Sequence, residues 1–406
     1  MNRFHKILFL AAALHVYGVL KAQRLWQFNK DTIIAWYYAD GDEFEQDTLD
    51  SQKWSYWYGW SRSIFSQKEQ EYYTDGKNLE LKNGCLNLFA VREDTTARMV
   101  DWLPDSDSMI LDGRFYGLNK QLFHYTAGMI QSRKRYKYGY FEAKFSIPEE
   151  KGYWPAFWLY GGTPNEEIDW MELKTEKKNA IHVGRHSQKK EENKMRDVFR
   201  KKWWGDWVYF KGDLSKGYHV IAGEWTPEYV KYFLNGECIA YSKVPLHEEK
   251  VLCANIAVPG KDGSFHPAPD PAIRRSGNFT IDYIRVWTSD QGAEKPFPEM
   301  MFKETHDTIA VTKLTSKTKF LYGKRSDHNN EGFTLSLIPY GNGIYNLQAL
   351  GKDIPANAHF SVSDGYRVSD QVLKYGANLL SIRKGQQKAI LTVECYGKKL
   401  RYDLLP

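Results

Sequence analysis

The sequence predicts an all-β protein built on an antiparallel sandwich or barrel. From Trp26 to Trp287 it is a succession of short runs in which apolar and polar residues alternate, separated by Gly, Asn, Asp and Pro. Asn83-Gly84 and Asn235-Gly236 are strong hairpin signals, because a two-residue turn needs residues that tolerate positive φ. Helical periodicity is nearly absent. With 42% hydrophobic and 15% aromatic residues in 406, the chain has a core to bury, which excludes disorder, collagen and coiled coil.

Taken in order, the first element is an address. Arg3 and Lys6 precede the mostly apolar Ile7 to Leu20, and Lys21-Ala22-Gln23 places a small residue at the cut. Residues 1–22 therefore read as a signal peptide and predict export to the periplasm or beyond. The apolar stretch is shorter than the ~20 residues of a membrane span, and no later segment supplies one. No Cys follows it, so no lipid anchor is expected there.

Strand-like runs follow at Leu86 to Val91, Tyr138 to Phe145, Val230 to Leu234 and Phe279 to Trp287. The texture then changes: residues 291–298 are polar with two Pro, and residues 299–406 carry further runs at Phe333 to Ile338 and Ala389 to Val393 but no Trp. The expected organisation is a domain over 23–290, a linker over 291–298 and a small accessory β domain over 299–406. Cys85, Cys238, Cys253 and Cys395 show no CxxC or His-rich spacing, which argues against a zinc site; one disulfide or buried free thiols both fit.

The formal charge of +6 raises the question of an acidic partner. Residues 291–406 hold 16 Lys and Arg against 11 Asp and Glu, whereas 23–290 hold 37 against 39. The larger domain is not basic, and no nucleic-acid partner is expected.

The chemistry concentrates in Glu166-Glu167-Ile168-Asp169-Trp170-Met171-Glu172, which follows Trp154-Pro155-Ala156-Phe157-Trp158. On a strand Glu167 and Asp169 share a face while Glu172 points away. A β-bulge near Met171 would return Glu172 to that face. Three carboxylates side by side repel, and their approach raises at least one pKa, as a general acid working near neutral pH requires. In a retaining glycosidase two such carboxyls serve as nucleophile and acid/base. Trp154 and Trp158 offer flat apolar faces for sugar rings. Alternating acids on a strand more often mark a solvated face, and a Ca²⁺ loop is a further reading, although calcium loops carry Gly and carbonyl ligands within a turn.

These segments, with Thr126 to Ile130, Tyr138 to Lys144, Asp42-Glu43-Phe44, Tyr218 to Pro227 and Asp282 to Trp287, resemble glycoside hydrolase family 16 over roughly residues 40 to 290. The resemblance implies a β-jelly-roll sandwich of two curved antiparallel sheets and endo-hydrolysis of a β-linked polysaccharide with retention. It implies Glu167 as nucleophile, Asp169 as the assisting carboxylate and Glu172 as acid/base, with Trp154, Trp158 and His182 binding substrate. No cofactor is implied for catalysis. A structural Ca²⁺ is expected on the outer face, with Glu43 and Asp282 as contributors. Trp170 departs from the small or aliphatic residue common in β-1,3-glucanases of the family.

The substrate expected is a β-1,3- or mixed β-1,3/1,4-glucan. A second reading is an endo-β-galactanase on an algal galactan such as agar, porphyran or carrageenan, or on a host galactose-containing glycan, with Arg185, Lys189 and Lys190 meeting sulfate. A third is a glycan-binding protein without catalysis, against which the intact acidic set stands.

Overall fold

A computed structural model describes residues 26–296 apart from 29–30, 112, 164, 188–202 and 243–245, then 313–314, 321–322 and most of 334–404. Residues 1–22, linker residues 297–298, and Lys189 and Lys190 lie outside the described residues. No α-helix occurs among the described residues, and the protein is all-β. Both Asn-Gly turns form: Asn83 and Gly84 have φ of 56° and 67°, Asn235 and Gly236 of 49° and 78°. Left-handed values at both central residues match the twist of the flanking strands.

Two large sheets make a jelly-roll sandwich. The eight-stranded sheet runs, in spatial order, 313–314, Trp203–Lys211, Ala180–Ser187, Glu166–Glu172, Trp154–Gly161, Lys250–Ala257, Met129–Tyr136 and Trp54–Ser55. The nine-stranded sheet is built around Val230–Leu234, His219–Trp225, Gly139–Ser146 and Phe279–Thr288. Their inner faces meet where Trp170 of the first sheet stacks on Phe141 and stands edge-on to Tyr232 of the second. All three are fully buried, the burial on which a sandwich core depends.

One buried ion pair fixes the start of the central strand. Glu166 Oε2 accepts from Lys250 Nζ at 2.7 Å and from the Glu248 amide at 2.9 Å, with both charged side chains removed from solvent. Such a pair is tolerated because each partner is hydrogen-bonded, and it pins the register of Glu166–Glu172.

The boundary between units differs from the expected one. By contacts, Gly41–Arg285 with Thr305–Gly323 form one unit, and Met1–Asp40, Val286–Glu304 and Lys324–Pro406 the other. The cause is strand pairing across the length of the chain: Asp31–Ala35 runs parallel to Thr334–Gly341, with Ile33 opposite Leu335 and Ala35 opposite Leu337. The second unit packs a five-stranded sheet and a four-stranded sheet around Leu347, Phe360, Leu391 and Leu404. Trp36 and Trp287, expected in the larger domain, belong to it; Trp287 Nε1 donates to the Pro339 carbonyl. The described part of the linker is ordered, with a 3₁₀ turn at Gln291–Ala293 and the Lys295 amide bonded to the Tyr38 carbonyl.

Cys253 is a buried thiol, the Cys85 Sγ lies 3.6 Å from the Tyr218 hydroxyl, and the Cys238 Sγ donates to the Ala240 carbonyl at 3.6 Å. The expected Ca²⁺ contributors do not fit a cation. Both oxygens of Glu43 accept from Arg285 at 2.8 Å, and Asp282 pairs with Lys144 at 2.5 Å, so each carboxylate is already neutralised by its own base.

Candidate active site

The strand Glu166–Glu172 lies between Trp154–Gly161 and Ala180–Ser187. Asp169 stands opposite Trp158 on one side and Gly184 on the other; Glu172 stands opposite Ala156 and His182. Between those two rungs the acidic strand has two residues, Trp170 and Met171, where each neighbour has one. That extra residue is the bulge expected from the motif. It returns Glu172 to the face of Glu167 and Asp169 while Ile168 and Trp170 face the core.

Two histidines on the next strand face these acids. His182 Nδ1 lies 2.8 Å from Glu172 Oε2. His186 stands opposite Glu167 in the ladder, its Nε2 3.7 Å from Glu167 Oε1 and 3.4 Å from Asp169 Oδ2. His186 was not anticipated, although a signal existed: it is four residues from His182 on the same strand face, and the bulge makes the five steps from Glu167 to Glu172 match those four.

The electrostatics follow from crowding. Burial, then the negative charge of Asp169, pushes the Glu167 carboxyl well above its usual range, with His186 opposing. Burial and Asp169 also raise Glu172, while the hydrogen bond and charge of His182 hold it back. Burial disfavours the charged His182 ring, but Glu172 and Asp169 outweigh it and raise its pKa. His186, desolvated yet facing Asp169 and Glu167, is raised to about 9. Crowding thus raises the proton affinity of both glutamates, the direction that a proton donor working near neutral pH requires.

A prediction follows for His182. Replacing it with Ala removes the bond and charge that restrain Glu172, so the Glu172 pKa rises. The alkaline limb of kcat/KM, where Glu172 loses its acid proton, then moves to higher pH. A pH profile of the variant on a soluble polysaccharide checks this; a lower rate with an unmoved limb would mean that His182 only holds shape.

Trp154 and Trp158 are wall rather than open platform. Trp154 is 8% exposed and one ring face is covered by Phe265, stacked at 4.2 Å. Trp158 is 7% exposed, its Nε1 held by Asn255 Oδ1 at 2.8 Å, with Tyr58, Trp60 and Tyr160 packed edge-on around it. Open aromatic surface comes instead from partly exposed Trp60, Tyr160, Trp207 and Phe265. Phe265 comes from a distant loop at positive φ, a placement with no sequence signature. Arg185 is turned inward: it is buried, and its Nε donates to Ser242 Oγ. It does not reach the face of the acids, which removes the basis for a sulfate contact by that residue.

A family model for glycosyl hydrolases family 16 matches residues 62–285, more than half of the chain and all of the acidic strand. The chain belongs to glycosyl hydrolases family 16. It is 27% identical over 174 residues to the endo-1,3-1,4-beta-glycanase ExsH of Rhizobium meliloti, covering 41% of this chain and 34% of that protein. It is 26% identical over 282 residues to glucan endo-1,3-beta-glucosidase A1 of Niallia circulans, covering 61% of this chain and 37% of that one. The chain thus spans about a third of the length of these curated relatives. Among solved structures, the catalytic domain of a laminarinase from Thermotoga petrophila RKU-1 superposes with a TM-score of 0.50 at 22% identity, over 62% of this chain and 98% of that domain. That likeness shows the shared fold.

Within the family-16 domain, the departure at Trp170 has a steric counterpart. A Cβ on Gly223 would lie 2.1 Å from Trp170 Cε3, so the glycine is what leaves room for the large ring.

Proposed function

We propose that the chain is an endo-acting retaining glycoside hydrolase of β-1,3- or mixed β-1,3/1,4-glucan. The observation that carries it is the bulged strand that sets Glu167, Asp169 and Glu172 on one face, with Glu172 bonded to His182. The activities for which the family-16 relatives above are named favour the glucan.

In the first step Glu172 gives its proton to the glycosidic oxygen while a Glu167 oxygen bonds to the anomeric carbon, and the carbon–oxygen bond to the leaving chain breaks. In the second, water passes a proton back to Glu172, its oxygen attacks the same carbon, and the ester to Glu167 is released. Asp169, buried between them, opposes negative charge on either glutamate and so raises the proton affinity of both. Partly exposed Trp60 and Tyr160 on one side, and Trp207 and Phe265 on the other, supply apolar surface along which a chain of sugars lies.

Incubation with laminarin, lichenan, agar, carrageenan, porphyran and mucin glycans, with products sized on a gel, tests the reading. Oligosaccharides of several lengths are expected early from laminarin or lichenan. Cleavage of a galactan alone would overturn the glucan assignment, and binding without cleavage on the whole panel would overturn the enzymatic one. We further propose export, on the basis of the basic and apolar N-terminus.

A further inference from the structure

We propose that Glu167, Asp169 and His186 form a reversible Zn²⁺ site whose occupation shuts the enzyme off. Binding is independent of the catalytic reading above; the inhibitory consequence rests on it, because Glu167 is the proposed nucleophile.

The three groups that pair as base and acids also bring three ligand atoms together. Glu167 Oε1, Asp169 Oδ2 and His186 Nε2 all lie within 4.8 Å of one another, with His186 Nε2 3.7 Å from the first and 3.4 Å from the second. Both separations are too long for a good charge-assisted hydrogen bond, which closes to about 2.7–2.9 Å. They are instead close to the ~3.3 Å edge of a tetrahedron whose zinc ligands sit at about 2.0–2.1 Å.

A second observation points to a ligand. Asp169 Oδ2 is buried, its side chain only 3% exposed, and the His186 ring 3.4 Å away is too distant to close a good hydrogen bond to it. A buried carboxylate oxygen held only by so long a contact is poorly satisfied, and an ion between the three atoms would satisfy it. His186, 44% exposed, and Glu167, 28% exposed, open the fourth position to solvent, the arrangement of a zinc site with one exchangeable place. Imidazole with two carboxylates favours a borderline metal over Ca²⁺ or Mg²⁺, which take oxygen ligands. The cysteine spacing that argues against zinc elsewhere in the sequence has no bearing on this set.

Occupation would coordinate Glu167 Oε1, remove its lone pair from attack on the anomeric carbon and fill the cleft beside it. The two histidines divide the labour: His182 serves Glu172 and stays outside the ligand set, while His186 serves the other two acids.

The test uses the full chain with Zn²⁺ in a calorimeter and Co²⁺ in an absorption spectrometer. One Zn²⁺ per chain is expected, with visible Co²⁺ bands of a four-coordinate site, and polysaccharide cleavage lost with added Zn²⁺ and restored by EDTA. His186→Ala is expected to bind Zn²⁺ at least about tenfold more weakly, since loss of a mere outer-shell partner already costs about that much. Glu167→Gln is expected to do the same, and there binding remains readable without turnover. Melting curves show that each variant is folded, with His186→Gln as the substitute if His186→Ala is not. Unchanged Zn²⁺ affinity in both variants overturns the site. Tight binding that leaves cleavage intact overturns the inhibition. A protein that binds Zn²⁺ as described but cleaves no member of the glycan panel upholds the site and overturns the catalytic reading instead.

Discussion

Glu167→Gln and Glu172→Gln each lose at least about a thousandfold in kcat/KM on polysaccharide, equivalent to roughly 4 kcal/mol of transition-state stabilisation. The two losses differ in kind, and the difference assigns the roles. Gln at 167 has no anionic oxygen to form the glycosyl ester, so no leaving group helps it. Gln at 172 has no proton to give, a deficiency that matters only where the departing oxygen needs one. An aryl β-glucan oligosaccharide with an acidic phenol therefore restores a burst of phenol release to Glu172→Gln and none to Glu167→Gln. Stopped-flow absorbance reads the burst. Melting temperatures close to the parent's confirm that the amides have been accommodated, as expected for side chains at a partly solvated face. A burst in the 167 variant rather than the 172 variant would reverse the assignment, and near-parental rates in both would remove these residues from the chemistry.

What could be read in the sequence was local. The Asn-Gly turns, the strand runs around 230–234 and 279–288, and the need for a bulge before Glu172 all follow from properties of neighbouring residues: turn propensity, two-residue alternation and the implausibility of stranding one acid of three on the opposite face. What escaped depended on partners distant along the chain. Asp31–Ala35 pairs with a strand 300 residues later, so its alternation reveals that it is a strand but not which unit it serves. Phe265 reaches the Trp154 ring from a loop more than a hundred residues on, turning an expected sugar platform into wall. Arg185 shares a strand with His182 and His186, yet strand alternation puts it on the other face; a strand reading of 180–187 would have shown that it turns inward. His186 was the other side of the same omission, since the residues that alternate with Arg185 are those that meet the acids.

The bulge that makes the site also makes it fragile at one place. Trp170, one of the two residues of the bulge, lies in the space between the sheets, where it is fully buried, 5.7 Å from the Phe141 ring and 5.5 Å from Tyr232. The facing residue is Gly223, whose added Cβ would lie 2.1, 2.2 and 2.6 Å from Cε3, Cζ3 and Cδ2 of that ring. None of these atoms is the end of a flexible chain, so Gly223→Ala must displace either a sheet or the indole. Overpacking of this kind costs about 1–3 kcal/mol, and the rigid ring puts this site at the upper end. Because Trp170 lies between Asp169 and Glu172, part of the displacement passes into the acids, and activity falls more steeply than stability alone accounts for. Trp170→Leu separates the two contributions. Alone it leaves a cavity and destabilises by a few kcal/mol. Combined with Gly223→Ala it gives the new methyl the space the ring vacated, so the double variant is more stable than the two single losses predict by at least about 1 kcal/mol, the signature of residues in contact. Urea denaturation of the four proteins measures the coupling. Strict additivity would mean that the glycine is not there to admit the tryptophan, and that the larger residue in this motif is accommodated by movement of the sheets instead.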